Sequence, residues 1–127
     1  MRNKDIYVGA LQLLSQRADV EETADYEERA PYLIATFASE AARLDAAYRK
    51  AHDVEPGSAV HPVYASLGDL FACCDRFAPA ACAYLASMLV IDEDPDLSDR
   101  LFDRYSDLMA GICCEVPAQI EPILQRY

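Results

Sequence analysis

Fifteen consecutive residues, Phe77 to Ile91, carry no charge. Within this run Phe77, Ala81, Tyr84, Leu85, Met88 and Leu89 recur at helical spacing, and the rest is mostly alanine. A helix that is apolar nearly all round has no face to give to water, so it belongs at the centre of a helical assembly. The run is too short to span a bilayer, which takes about 20 apolar residues. The spacing predicts a helix over 75–92, with Asp75 as N-cap and Pro79 near the first turn. Tyr84, Leu85, Met88 and Leu89 are its expected core. The rest of the chain has to supply apolar faces that cover this segment.

Three further stretches offer such faces. Ile6, Ala10, Leu11 and Leu14 share one side of a helix expected over 3–16, with Asn3 as its N-cap. Tyr26, Ala30, Leu33, Phe37, Ala41, Leu44 and Tyr48 recur at spacings of three and four, which predicts a helix over 23–52 capped by Thr23. Pro31 lies inside that pattern and lacks a backbone donor, so a bend or a split is expected there. Leu97, Leu101, Phe102, Tyr105, Leu108, Met109 and Ile112 define a last helix over 95–115, with Pro117 helping to end it. In the tail, Pro122 leaves room for no more than a short helical turn.

Residues 53–72 break the periodicity with two prolines and two glycines. They read as a long loop, with a short extended piece expected at Val60 to Ala65. Four glycines and no Asn-Gly or Asp-Gly dipeptide argue against hairpins. The expected fold is therefore all-α, a single helical domain over 1–127: a four-helix bundle-like arrangement with a long loop between the second and third helices. A loop of this length exceeds the usual connection in a compact domain, which points to a function.

The formal net charge is -11, and the eleven basic residues are scattered. Wrapping a phosphate backbone or lying on an anionic membrane needs clustered Lys and Arg, so neither nucleic acid nor membrane is an expected partner. The five cysteines stand as Cys73-Cys74, Cys82 and Cys113-Cys114. Adjacent residues on a helix point about 100° apart, so neither pair suits a disulfide. Reduced thiols in an intracellular setting are expected, and the opening residues, with Asp5 ahead of an interrupted apolar segment, do not read as a secretory leader.

The stretch IDEDPDLSDRLFDRY, residues 91–105, holds five Asp and one Glu within its first thirteen positions. A calcium loop needs acids at positions 1, 3 and 5, Gly at 6 and Glu at 12. Asp92, Asp94 and Asp96 fit the first three, but Leu97 and Asp103 occupy the other two. A helix start accounts for every residue instead: Asp94 caps, Pro95 is the first helical residue, and Asp96 and Asp99 favour the positive end of the dipole. Asp99, Asp103 and Asp107 then fall at i, i+4 and i+8, with Arg100 and Arg104 as partial compensation. Such a stripe is a solvated face, or a surface that must not adhere to something anionic.

No catalytic constellation appears. His52 and His61 are the only histidines, and Arg49 and Ser58 stand where a Glu-x-x-His pair would need its acid. The cysteine spacings do not match a zinc ribbon, and apolar surroundings suit them as core residues. No nucleophile-elbow, phosphate-loop or zincin motif is present. The expectation is a protein that is not an enzyme, with no metal, cofactor or catalytic residue.

Two blocks carry a likeness. ERAPYLIATFASEAARLDAAYR, residues 28–49, is a helix with a Leu-Ile pair and acids. HPVYASLGDLFACCDRFAPAACAYLASMLVIDEDPDLSDRLFDRYSDLMAGI, residues 61–112, runs from a loop through a SLGDLF segment and a small-residue helix ending in acids to a final helix with a Tyr. In this order the patterns resemble the small helical head–tail connector, or adaptor, proteins of tailed bacteriophages and prophages. The likeness spans at least the middle two-thirds of the chain and rests on no single motif. It implies a structural subunit that forms a ring beneath the portal, completes the DNA channel and contacts itself, the portal and tail proteins. It implies assembly in the bacterial cytoplasm and a final place in the virion neck. On this reading Asp99, Asp103 and Asp107 are the candidate acidic channel face. His61, Pro62, Val63, Tyr64 and Leu67 are the candidate contact loop. The alternative is a bacterial helical protein-interaction or regulatory protein.

Overall fold

Helices form where the apolar spacing places them. The computed structural model describes residues 1–15, 24–57 and 60–117. α1 is Asn3–Leu13, α2 is Ala24–Ala51, α3 is Ala78–Val90 and α4 is Pro95–Cys114, with a 3-10 turn at Asp75–Phe77 leading into α3. The fold is all-α. Among the described residues the one β-type pairing is an isolated bridge between Arg2 and Leu70. The extended piece expected at Val60 to Ala65 makes no strand.

α3 is the hub, packing on α1, α2 and α4, whereas α1 and α2 touch each other more lightly. Its lack of charge is the cause: Ala80, Ala81, Ala83, Tyr84, Leu85, Ala86, Ser87, Leu89 and Val90 are all buried. Met88, expected in the core, is half-buried against it. The small side chains let neighbours approach. A Cβ built on Gly9 of α1 would lie 2.7 Å from the Cys82 Sγ of α3. An aromatic series then links three helices and the loop. Phe37 of α2 meets Phe71, Tyr84 and Tyr105 at ring separations of 6.2, 5.8 and 6.1 Å, and Tyr105 continues to the exposed ring of Phe102 at 5.3 Å.

The helix ends are held by specific groups. Asp94 accepts a hydrogen bond from the Leu97 N–H at 3.1 Å, and Pro95 opens α4, so the acidic stretch does start a helix. Residues 91–94 form the tight turn between α3 and α4. Arg29 of α2 donates to the Met88 carbonyl at 3.0 Å, satisfying one of the acceptors that the end of α3 leaves open. Tyr26 donates to the Glu93 carboxylate, tying the start of α2 to the same turn. Asp53 closes α2 in the left-handed conformation (φ 54°), and the Val54 N–H returns to the Arg49 carbonyl at 2.8 Å.

Three expectations about helix ends change. Asn3 is not the cap of α1: Arg2 holds that position, its N–H bonded to Asp5 at 2.9 Å, and Asn3 is buried inside the first turn. Asp75 begins the 3-10 turn, and Phe77 takes the N-cap position of α3. Pro31 does not split α2, which runs through it unbroken. Ala30 and Ile34, buried on either side of it, hold the helix on the core. The expected cap Thr23 and the tail around Pro122 lie outside the described residues.

Candidate functional site

The described residues of the long loop, 52–57 and 60–74, are laid onto α1 and α2 by polar contacts that the sequence periodicity does not reveal. Asp45 and Arg49, one turn apart on α2, pair at 3.0 Å, and Asp45 is buried. Arg49 also donates to the Glu55 carbonyl at 2.8 Å and the Ala72 carbonyl at 3.3 Å, and Asp45 accepts from the Cys74 N–H at 2.8 Å. One ion pair therefore grips both ends of the loop. Its middle is fixed from the other side. Asn3 and Lys4 donate their N–H groups to the Asp69 and Leu67 carbonyls, both at 2.9 Å, and the Phe71 N–H reaches the Met1 carbonyl at 2.9 Å. The Ala65 N–H bonds the Pro31 carbonyl at 3.1 Å.

Held in this way, the loop presents apolar side chains outward. His61, Pro62, Val63 and Tyr64 are exposed, Val63 at 80%, while Leu67 turns inward and packs against the core. The contact loop expected from sequence thus divides: four residues face solvent and Leu67 anchors them. Leu70 at 67% and Tyr32 at 52% extend the exposed apolar surface, with Tyr32 meeting Tyr64 edge-on at 5.1 Å. Neither Tyr32 nor Leu70 was expected here. Tyr32 falls off the apolar stripe of α2, which is the signal that could have found it.

Two clefts border this surface. One, of about 110 Å³, lies between α1, α2 and the loop and is lined by Asn3, Ile34, Ala38, Pro62, Tyr64 and Leu70 among others. The other, of about 480 Å³, lies along α2 beside Asp45, Arg49, Lys50, Val54 and His61. Arg49 is already committed to Asp45 and the loop carbonyls.

Asp99, Asp103 and Asp107 are all exposed on α4, on a different element from the loop. Arg100 and Arg104 form no ion pair with them; the pairs among the described residues are Arg29–Asp25, Arg49–Asp45 and Arg76–Glu115. The stripe faces solvent with Arg100 and Arg104 beside it but not paired to it.

The cysteines range from buried to exposed. Burial pushes the Cys73 thiol up to about 12, with Asp45 adding to it, and burial alone pushes Cys82 up to about 11. Both stay protonated near neutrality and make weak nucleophiles. Cys113 and Cys114 are exposed at the end of α4. His52 stacks on Tyr48 at 4.1 Å. Among the described residues no three His, Cys, Asp or Glu side chains converge as metal ligands would. None of the described helices is long and apolar enough to cross a membrane. The arrangement defines a helical protein whose most developed surface is an apolar loop held on a polar frame.

No family model matches the chain, and neither a curated protein nor a solved structure matches it. The likeness to head–tail connectors therefore rests on the order of the sequence patterns alone.

Proposed function

We propose that the chain is a non-catalytic assembly subunit, and that its assembly is the head–tail connector ring of a tailed phage or prophage. The observation that supports an interaction role is the exposed surface of Tyr32, Val63, Tyr64 and Leu70, carried on a loop fixed at both ends by Arg49 and Asp45. Apolar side chains held in place on a rigid frame lose little entropy on docking, which favours recognition over chance exposure. The connector identity is supported by the sequence blocks at 28–49 and 61–112. On this reading the loop contacts a neighbouring subunit or the portal. The Asp99, Asp103 and Asp107 stripe faces the channel, where negative walls repel passing phosphates. The subunit assembles in the bacterial cytoplasm and ends in the virion neck.

Assembly on heads that carry their portal tests the proposal. Deleting the gene from its prophage is expected to leave filled or leaking heads without tails. If plaque-forming particles persist unchanged, the chain is instead a bacterial helical interaction protein. Replacing Asp99, Asp103 and Asp107 together by Asn tests the channel face separately. Normal assembly with slowed DNA ejection supports that face, and unchanged ejection returns the stripe to a solvated helix surface.

A further inference from the structure

The larger cleft has an apolar floor and a basic edge. Ala42, Ala46 and Lys50 follow one another at single-turn spacing along α2, and Val54 and Pro56 face them from the loop. A volume of about 480 Å³ is that of a binding pocket rather than of a packing gap. Among the described residues the carboxylate on its wall is Asp45, and Asp45 is already paired with Arg49. The charge left open there is that of Lys50. Arg43, exposed two turns earlier on the same side of α2, adds a second. Neither cation belongs to an ion pair of the described residues. A fitting occupant has an apolar tip with acids beside it.

The chain itself carries such a group. Ile91, at the turn between α3 and α4, is 45% exposed, and Asp92, Asp94 and Asp96 next to it are exposed as well. None of the ion pairs of the described residues engages them. A subunit cannot set this turn into its own cleft. Tyr26 and Arg29 tie the turn region to the start of α2, through Glu93 and the Met88 carbonyl, whereas the cleft lies along the end of α2. The helix from Tyr26 to Ala46 spans about 30 Å. Turn and cleft are therefore held at opposite ends of one continuous helix. A net charge of -11 makes two copies repel unless a basic patch of one meets an acidic patch of the other. Lys50 and Arg43 against the acids around Ile91 provide that match.

We infer that the cleft along α2 receives the Ile91 turn of a second copy of this chain, with Lys50 and Arg43 facing the acids of that turn. The contact is head-to-tail, because each copy offers a turn at one end and a cleft at the other. Such contacts close into a ring or run on as a filament. The inference rests on reading the chain as a self-assembling subunit, and it names the contact by which copies join. It uses neither the Tyr32 and Leu70 surface nor the Asp99 to Asp107 stripe.

Sedimentation equilibrium of the full chain under reducing conditions, which exclude links through Cys113 and Cys114, tests it. The average mass is expected to rise with concentration, with a dissociation constant on the order of 0.1 mM, as suits a contact smaller than a permanent interface. Salt at about 0.5 M should weaken the association. Lys50→Glu and Asp92→Lys should each weaken it about tenfold, and the chain carrying both should recover, since the charges then face each other in exchanged places. Ile91→Ser should weaken it too. A mixture of Ile91→Ser with Lys50→Glu should stop at pairs, because one variant keeps the cleft and the other keeps the turn. All three positions are exposed, and an unchanged urea midpoint checks that each variant is folded. If one variant fails that check, the other two still decide. A chain that stays monomeric up to about 1 mM overturns the inference. So does association that ignores Lys50→Glu and Ile91→Ser, or that ends at a symmetric dimer. The outcome is separable from the connector reading. Tailless heads on gene deletion, with association indifferent to these changes, would sink this inference alone. Association through turn and cleft, with plaque formation unaffected by deletion, would sink the connector alone.

Discussion

Ser87 of α3 and Ser98 of α4 each donate a hydroxyl to the other's main-chain carbonyl, both at 2.9 Å, and their oxygens lie 3.2 Å apart. Both residues are buried. The exchange satisfies two hydroxyls inside an otherwise apolar contact and sets the axial position of one helix against the other. Ser87→Ala is expected to cost about 1–2 kcal/mol, because it removes one bond and leaves the Ser98 hydroxyl beside a methyl group. Ser87→Ala with Ser98→Ala should cost clearly less than the sum of the single changes. Urea unfolding of the four proteins measures this, and strict additivity would show that the two serines do not act as a pair.

Gly9 tells a similar story through shape. Alanine is the better helix former by about 1 kcal/mol, yet its methyl at position 9 would meet the Cys82 sulfur. Gly9→Ala is expected to destabilise the chain by about 1–3 kcal/mol through overpacking. In a Cys82→Ala background the sulfur is gone, and the same change should become neutral or stabilising. A sign that does not move between the two backgrounds would mean that α1 and α3 are not pressed together at this point.

Arg49 joins a buried carboxylate to two loop carbonyls. Arg49→Met keeps much of the side-chain volume but strands Asp45, and should cost about 3–5 kcal/mol. Hydrogen exchange adds a local readout. The Cys74 amide, bonded to Asp45, and the Ala65 amide, bonded to Pro31, should lose protection together if the ion pair fixes the whole loop. Loss at Cys74 alone would confine its effect to one end.

Alkali should find a weak point at the buried phenols. Tyr26 is pushed up to about 12 by burial and by its bond to Glu93, and Tyr84 reaches about 12 through burial and the nearby Glu40. Burial raises Tyr105 as well. In the unfolded chain a phenol ionises near pH 10, so above that the unfolded state holds fewer protons and is favoured. The stability these groups contribute is complete below about pH 10 and is lost as pH rises through about 12. The urea midpoint should stay level up to about pH 9 and then fall, with Tyr26 and Tyr84 ionising later than a phenol of the unfolded chain. A simultaneous rise of all tyrosinate absorbance near pH 10, with the fold intact, would contradict the burial of Tyr26 and Tyr84.

Much of the helical frame is readable from local patterns, because its causes are local. The charge-free run places α3 at the centre, and Asp94 followed by Pro95 marks the start of α4 to the residue. The loop is a different matter. Its order comes from Arg49, Asp45 and the main chain of residues 1–4, and none of these lies within the loop's own sequence. Asn3 shows the difficulty most plainly. A polar residue before an apolar stripe has the form of a cap, but the partner that buries it is Ser66. The apolar rim was half visible: His61 to Tyr64 lie in the overlong loop that the resemblance makes a contact segment. Tyr32 and Leu70 join them only through the packing of α2 against the loop.

The way α1 is held has a consequence for synthesis. A ribosome releases α1 before the other three helices, yet its first-turn amides are bonded by residues 67 and 69, the Met1 carbonyl by Phe71, and its apolar face by α3. None of these exists while the nascent chain is shorter than about 70 residues, and an isolated helix of eleven residues is marginal in water. α3 and α4, joined by a four-residue turn, need no such delay, since their contacts are close in sequence. On translation, then, the earliest of the four helices is among the last to be secured. A pause or truncation near residue 70 would leave its apolar stripe bare to chaperones.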